Sequence, residues 1–214
     1  MSTLPPGPPS LPHDLLEVAG AGALVCDVEP PAWVTEALRE APFVVVRRAE
    51  RRGELLPVGV RGRERSARFA AWLPAARVAS RTRPEDLVPR LGRPGRQLRA
   101  FVQLACLDEI DARLAPLGLV WGPVGSAGFE LATGTPCLGD ASDVDVVLRV
   151  PRALRLATAR GLCAAFAAMP CRIDAQIETP AGAISLDEYA RHEARVVLRT
   201  VRGPELVPHP WPRG

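Results

Sequence analysis

The sequence contains no lysine, because all 27 of its basic residues are arginines. This absence excludes enzymes that form a Schiff base through lysine, and also P-loop kinases and ATPases, whose phosphate-binding motif requires one. Aromatic residues make up only 5% of the chain, and no stacking motif typical of nucleic-acid-binding proteins is present. No apolar stretch approaches the length that spans a bilayer. We therefore predict neither nucleic acid nor membrane as a partner.

Cysteine is present but not in a paired arrangement. The five cysteines are odd in number and form no C-x-x-C motif, which fits reduced thiols better than a disulfide framework or a zinc site. Residues 1–10 are rich in proline and lack the basic and apolar regions of a secretory signal, so we predict a disordered leader there. These features together predict a cytoplasmic protein.

Charge divides the chain into two parts. Residues 47–99 contain fifteen arginines and five acidic residues, whereas residues 101–214 contain eleven arginines and thirteen acidic residues. Between them, residues 81–95 carry three prolines and two glycines, which is typical of a domain boundary. We predict a leader at residues 1–10, a smaller basic α+β domain at 11–90 and a catalytic domain at 91–214.

Short apolar runs indicate the secondary structure of the N-terminal domain. Residues 43–47 (FVVVR) and 55–60 (LLPVGV) have the composition of strands, and the charged segment between them predicts a β-hairpin. Residues 61–72 (RGRERSARFAAW) are basic at the start and apolar at the end. They either lie across a phosphate-rich ligand or form a solvated face, and the second interpretation is favoured because charge runs are usually solvated.

Two helices are predicted in the catalytic domain. Residues 99–117 place apolar residues at helical spacing and end at Pro116-Leu117-Gly118. Residues 151–169 start with Pro151, a favoured first helical residue, and have an alanine-rich apolar face. We expect the helix at residues 99–117 to pack under the strand that carries the acidic residues described below.

A glycine and a serine lie where a strand is predicted to meet a helix. Residues 119–124 (LVWGPV) form a short apolar run, which leads into Gly125-Ser126 and then a predicted helix start at residues 127–131. Glycine lets the backbone turn tightly under an oxygen-rich ligand, while the helix N-terminus supplies free N–H groups and a positive dipole. We therefore predict that Gly125 and Ser126 bind phosphate. Glu130, just beyond them, is either part of this site or a charge on the helix surface.

Two carboxylates follow in a β-branched run, DVDVVLRV at residues 143–150. Alternate residues of a strand share one face, so Asp143 and Asp145 point the same way and repel each other unless a cation lies between them. A bare D-x-D is most often a pair of solvated acids, but the upstream Gly-Ser favours a metal site. Mg²⁺ takes one or two carboxylates together with phosphate oxygens, so we predict Mg²⁺ here, with Mn²⁺ as an alternative.

A third carboxylate lies on the next predicted strand, RIDAQIE at residues 172–178. Its apolar residues occupy one face, and Asp174 occupies the other. We assign Asp174 as a third catalytic carboxylate, either a second metal ligand or a general base for an acceptor hydroxyl. The alternative is a polar strand position that is hydrogen-bonded to Arg172 or Gln176.

The order of these elements resembles the nucleotidyltransferase fold of the DNA polymerase β superfamily. This resemblance implies an α+β class in which the C-terminal nucleotidyltransferase domain has a mixed sheet with flanking helices. The phrases WGPVGSAGFELATG, SDVDVVLR, RIDAQIET and LRTVRGPELV more specifically resemble the malonate decarboxylase holo-acyl-carrier-protein synthase family, also called phosphoribosyl-dephospho-CoA transferase. The resemblance covers residues 11–207.

The family resemblance implies a substrate that motif spacing alone does not supply. It implies transfer of the prosthetic group from 2'-(5''-triphosphoribosyl)-3'-dephospho-CoA to a serine of the malonate decarboxylase acyl carrier protein subunit, with release of pyrophosphate. One alternative is another nucleotidyltransferase of the superfamily, acting on the citrate lyase carrier protein or on a small molecule. The other is a non-catalytic interaction protein on the same fold, which would be expected to have lost one of the carboxylates.

Overall fold

The computed structural model of the chain describes residues 9–64, 66–91, 102–140 and 142–212. Most of the predicted leader and the first residues of the helix predicted at 99–117 lie outside these ranges. The chain forms two compact units that divide between Arg83 and Pro84, whereas the sequence placed the division after residue 90. Residues 84–90 belong to the C-terminal unit because Leu87 is 1% exposed in its core. No helix of the described residues has both the length and the apolar character needed to cross a membrane.

In its described residues, the N-terminal unit contains one antiparallel sheet and one α-helix. The helix α1 (Ala32–Glu40) buries Val34 and Leu38. The strands follow the order β4-β3-β2-β1-β5 across the sheet. Their bounds are β1 (Leu15–Val18), β2 (Phe43–Val46), β3 (Leu55–Arg61), β4 (Arg68–Pro74) and β5 (Val78–Thr82).

The hairpin predicted in this unit is confirmed, because β2 and β3 pair antiparallel with Val46 opposite Val58. The basic start of residues 61–72 lies at the end of β3 and in the turn that follows, where Arg63 is exposed. The apolar end of the same stretch belongs to β4, which buries Phe69, Ala71 and Leu73 in the core of the unit.

The C-terminal unit has a six-stranded mixed sheet in the order β11-β10-β9-β8-β7-β6. Strands β7 and β8 are parallel, and the other neighbouring pairs in the sheet are antiparallel. The predicted α+β class is thereby confirmed. The strands are β6 (Val120–Pro123), β7 (Val144–Arg149), β8 (Ile173–Thr179), β9 (Gly182–Ser185), β10 (Val196–Thr200) and β11 (Gly203–Val207).

Four α-helices accompany this sheet in the described residues. Leu107 and Ile110 of α2 and Phe166 of α4 join Val146 and Ile177 of the sheet in one apolar core. A 3-10 helix at Pro84–Arg90 precedes the first of them. The bounds are α2 (Val102–Leu114), α3 (Gly125–Thr133), α4 (Leu156–Ala167) and α5 (Leu186–Arg191).

The helix predicted at 151–169 begins later than the sequence indicated. Pro151 does not start it, because α4 begins at Leu156 with Arg155 in an extended conformation before it. Two aromatic side chains hold the connecting segment: Trp211 donates a hydrogen bond to the carbonyl of Val150, and the hydroxyl of Tyr189 donates one to the carbonyl of Leu154. These bonds fix the connection in a non-helical path.

Candidate functional site

The turn between β6 and α3 brings Gly125 against a carboxylate of β7. Gly125 has a φ of 59°, in the left-handed region that glycine tolerates best. A Cβ atom added there would overlap Oδ2 of Asp145 and lie 2.8 Å from its Cγ. The N–H of Val124 donates a 2.9 Å hydrogen bond to the carbonyl of Asp145, which ties the turn to the start of β7. The Gly125 backbone therefore forms a cradle that only a residue without a side chain can provide.

The first turn of α3 is held close to the end of β6. A Cβ atom at Gly128 would overlap the carbonyl of Pro123, so a second glycine permits this approach. Ser126 lies in this turn, is half-buried and directly follows the glycine of the cradle. The N-cap residue, Val124, has no polar side chain to cap the first-turn N–H groups. The predicted phosphate-binding residues thus lie at the N-terminus of a helix, beside Asp145.

The three predicted carboxylates lie where the two parallel strands β7 and β8 begin. Asp145 and Asp174 are direct neighbours in the register of β7 and β8, so they share one face of the sheet at strand spacing, about 4.8 Å. Asp143 directly precedes β7 and belongs to the same face by alternation. Its Oδ2 lies 3.8 Å from Nη1 of Arg172, whose side chain is 76% exposed. Because the Arg172 side chain is exposed to solvent, this ion pair is weak.

The fit of this site to Mg²⁺ follows from its ligand types. In the part of the chain that the structure describes, no group of three or more His, Cys, Asp and Glu side chains forms a complete metal site. Mg²⁺ does not need such a cage, since it binds through one or two carboxylates plus water and phosphate oxygens. Asp143 and Asp145, with a glycine cradle beside Asp145, match that requirement.

Two cysteines near this end of the sheet have thiols whose pKa is raised. Burial raises the pKa of the Cys171 thiol to about 12, with further increases from Cys106 and from the negative charge of Asp143. Burial likewise raises the pKa of Cys163 to about 12, helped by Asp187. Both remain protonated thiols at neutral pH, whereas the thiolate is the reactive form. The other polar groups of the predicted site are carboxylates, a hydroxyl and backbone N–H groups.

The loop that leads into Asp143 is fixed by two buried polar side chains. Glu130, 4% exposed, accepts hydrogen bonds of 2.7 Å from the N–H groups of Cys137 and Leu138. Gln103, 1% exposed, directs its Nε2 to the carbonyls of Gly139, Asp140 and Ser142 at 3.0–3.3 Å. We name Gln103 and Glu130 the loop anchors. Glu130 thus has a structural role, rather than being a charge on the helix surface.

Sequence reasoning did not identify Gln103. The signal was present, because Gln103 occupies a position in α2 that shares the buried face with Cys106, Leu107, Ile110 and Leu114. A polar residue in such a series needs a hydrogen-bond partner, since burying an unsatisfied amide is unfavourable. The partner could not be read from the sequence, because it lies 36 to 39 positions further along the chain.

Replacement of Gln103 should show how far the loop anchors support catalysis. In Gln103→Leu three carbonyl groups lose their donor, so we expect the free energy of unfolding to fall by about 1–3 kcal/mol and kcat to fall with it. Gln103→Glu should be worse, because a carboxylate would face three carbonyl oxygens. Urea denaturation and steady-state kinetics test both variants. If the glutamate variant were as stable as wild type, the proposed donor role of Gln103 would be wrong.

The 3-10 helix at Pro84–Arg90 covers the middle of the sheet face that carries the carboxylates. A Cβ atom at Gly122 would overlap the Pro84 carbonyl group, so this glycine allows the close packing. Gly122 is opposite Val147, which lies two residues after Asp145 and on the same face. At the far end of β7, Nε of Arg149 lies 3.7 Å from Oε2 of Glu85, and both side chains are mostly buried. The 3-10 helix therefore bounds the site on one side.

Comparison with known proteins gives matches over both units. Residues 93–210 match the family described as "Phosphoribosyl-dephospho-CoA transferase MdcG C-terminal domain", and residues 11–84 match "Phosphoribosyl-dephospho-CoA transferase MdcG N-terminal domain". A curated relative from Azotobacter vinelandii, named phosphoribosyl-dephospho-CoA transferase, is 44% identical over 94% of this chain and 93% of its own. Relatives of the same name from Pseudomonas aeruginosa and Klebsiella pneumoniae are 42% and 41% identical over 94% of this chain, and over 93% and 96% of their own. No solved structure is significantly similar.

These similarities, which cover both units, define the protein as a transferase. The sequence resemblance described above is thereby confirmed at the level of family. The chain belongs to the phosphoribosyl-dephospho-CoA transferase family.

Proposed function

We propose that the protein transfers the phosphoribosyl-dephospho-CoA group from 2'-(5''-triphosphoribosyl)-3'-dephospho-CoA to a serine of the malonate decarboxylase acyl carrier protein subunit, releasing pyrophosphate. Family membership supports the transferred group. The observation that supports the proposed chemistry is the close approach of the Asp145 carboxylate to the Gly125 backbone at the N-terminus of α3, with Asp174 next to Asp145 in the sheet.

In this reaction the serine oxygen of the acceptor forms a bond to the α-phosphorus of the donor. The bond from that phosphorus to the bridging oxygen of the β-phosphate breaks, and pyrophosphate leaves. Asp174 accepts the proton of the serine hydroxyl. The N–H groups at Gly125 and the hydroxyl of Ser126 hold oxygens of the triphosphate, as helix N-termini commonly do. Asp143 and Asp145 would hold Mg²⁺, which supplies charge neutralisation for the triphosphate when bound.

We further infer that the C-terminal unit has the nucleotidyltransferase fold of the DNA polymerase β superfamily. The order β6, α3, β7, α4 and β8 supports this inference, as does the position of the carboxylates where the neighbouring strands β7 and β8 begin. The proposal assigns Asp143, Asp145 and Asp174 to the three acidic positions implied by the superfamily resemblance.

Mass spectrometry of the acceptor tests the proposed function. The purified carrier subunit is incubated with the protein, Mg²⁺ and the triphosphoribosyl donor, and a mass increase equal to one phosphoribosyl-dephospho-CoA group is expected. A carrier variant with alanine at the modified serine is the control and should gain no mass. The citrate lyase carrier, tested in parallel, should be modified far more slowly. Equal modification of both carriers, or mass addition from ATP alone, would contradict the proposed substrates.

Ser126→Ala should weaken donor binding without disturbing the fold. The serine hydroxyl is expected to donate to a charged phosphate oxygen, a bond that contributes roughly 1.5–3 kcal/mol. We therefore expect an increase in the KM for the donor of about tenfold or more, by the usual conversion of 1.4 kcal/mol per decade. Ser66→Ala, in the exposed turn after β3, is the matched control and should leave the kinetics unchanged. An unaltered donor KM in Ser126→Ala would assign Ser126 a structural role.

A further inference from the structure

A groove of about 620 Å³ lies at the end of the C-terminal unit away from Asp143. It forms where the segment entering β6 meets the segment that connects β7 to α4. Its lining includes Arg149, Arg152 and Arg155, together with Leu117 and Val120. None of the residues assigned above to phosphate, metal or proton transfer lines it.

The groove is positively charged. Arg152 and Arg155 are exposed, and neither forms an ion pair with a carboxylate among the described residues. Arg155 is the N-cap residue of α4, a twelve-residue helix that has no acidic residue in its first turn. The positive end of the helix dipole therefore adds to the charge of the arginines instead of being neutralised.

The same groove exposes apolar side chains. Leu117 is 47% exposed and Val120 is 51% exposed, although most large apolar residues of this unit are buried. Exposed apolar surface with a polar rim is typical of protein interaction sites, in which arginine is enriched. A small phosphate alone would make no use of the apolar wall. The groove therefore fits a protein surface on which carboxylates surround an apolar residue.

The position of the groove separates it from the donor site. Arg149 follows Asp145 by four positions along β7, a distance of about 13 Å at 3.3 Å per residue. The 3-10 helix at Pro84–Arg90 packs over Gly122 between these two points on the same face. The groove is therefore a surface separate from the place proposed for the triphosphate. A protein acceptor is large enough to contact both places at once.

We propose that this groove docks the carrier-protein acceptor through an acidic surface with an apolar centre. The inference rests on the proposed function, because it assigns a place to the protein acceptor of that reaction. Arg152 and Arg155 attract the carboxylates of the carrier, and Leu117 and Val120 bury its apolar side chain. Neither arginine takes part in the transfer step, so their effect is confined to recognition of the acceptor.

Charge reversal tests this assignment. In Arg152→Glu and Arg155→Glu the acceptor carboxylates would meet a like charge, so we expect the KM for the carrier to rise on the order of tenfold. The KM for the donor and the kcat at saturating carrier should not change. Glutamate at the N-terminus of a helix is favourable, so Arg155→Glu should fold normally. The control is Arg199→Glu, an equal charge change at an exposed site on β10, outside the groove.

The outcomes separate this proposal from the proposed function. Transfer by the wild type, with a carrier KM that rises only in the two groove variants, supports both. A rise in the KM for the donor would show that the groove binds the donor. A rise in the KM for the carrier that is equally large in Arg199→Glu would show that only the net charge matters. Either result overturns the docking assignment but leaves the proposed function intact. Absence of transfer by the wild type contradicts the proposed function itself. In that case the carrier alone is titrated into the protein in a calorimeter, and its Kd is compared among the variants. A Kd that rises only in the groove variants upholds the docking assignment, and an unchanged Kd overturns it.

Discussion

The Asp145→Asn variant is expected to lose at least about 10³-fold in kcat with little change in structure. Asparagine has the shape of aspartate, so the contact with Gly125 is retained while the charge that would hold Mg²⁺ is removed. Metal-assisted charge neutralisation contributes several kcal/mol to transition-state stabilisation, and each 1.36 kcal/mol corresponds to a factor of ten in rate. The measurement is single-turnover transfer to the carrier at saturating donor and Mg²⁺.

Asp143→Asn and the double variant test whether the two carboxylates act as one unit. Residues that serve a single function are strongly non-additive, so the double variant should be little worse than either single one. Mg²⁺ plus donor should raise the Tm of wild type but not of Asp145→Asn, because only binding to the native state stabilises it. Asp108→Asn, on the exposed face of α2, is the control with the same chemical change. Full product formation by Asp145→Asn would remove the metal site from β7.

Gly125→Ala is expected to abolish activity and to destabilise the protein by at least about 2 kcal/mol. Two effects act together, because the added methyl group would overlap the Asp145 carboxylate and alanine would have to adopt a φ of 59°. Either the turn or the carboxylate must move, and both belong to the proposed site. Chemical denaturation gives the stability change, and transfer to the carrier gives the activity.

Gly161→Ala is the matched control for this prediction. Gly161 lies within α4, is exposed and would have no atom within 4 Å of an added Cβ. Alanine favours the helix over glycine by roughly 0.5–1 kcal/mol, so this variant should be slightly more stable and fully active. If Gly125→Ala were as active as Gly161→Ala, the cradle would have no role in binding phosphate.

The sequence predicted the elements whose side-chain periodicity is clear. The apolar spacing of α2 and the hairpin of β2 and β3 are confirmed, and the predicted strands at residues 143–150 and 172–178 correspond to β7 and β8. The convergence of Asp145 and Asp174 also follows from the sequence, once the helix between the strands implies a parallel crossover. The apolar periodicity of each segment and the short connections between neighbouring segments were sufficient to predict these features.

Other elements depend on partners that are distant in the chain. Strand β1 has four residues, three of them buried, so it shows no alternation that would indicate a strand. Its neighbours are β2 and β5, with Leu16 opposite Val44 and Arg81. The late start of α4 likewise depends on Trp211, which follows Val150 by 61 positions. The loop anchors, the Arg149–Glu85 contact and the arginine groove are tertiary features of the same kind.

The loop anchors have a consequence for the thermodynamics of substrate recognition. The segment between α3 and β7 has no regular secondary structure in its described residues, yet its backbone is held by hydrogen bonds to Glu130 and Gln103, which belong to the same chain. Its conformational entropy is therefore lost when the chain folds and not when the donor arrives. An unanchored loop of this length would have to be ordered at each binding event, which weakens affinity. The loop that leads to Asp143 therefore needs little further ordering when a substrate binds.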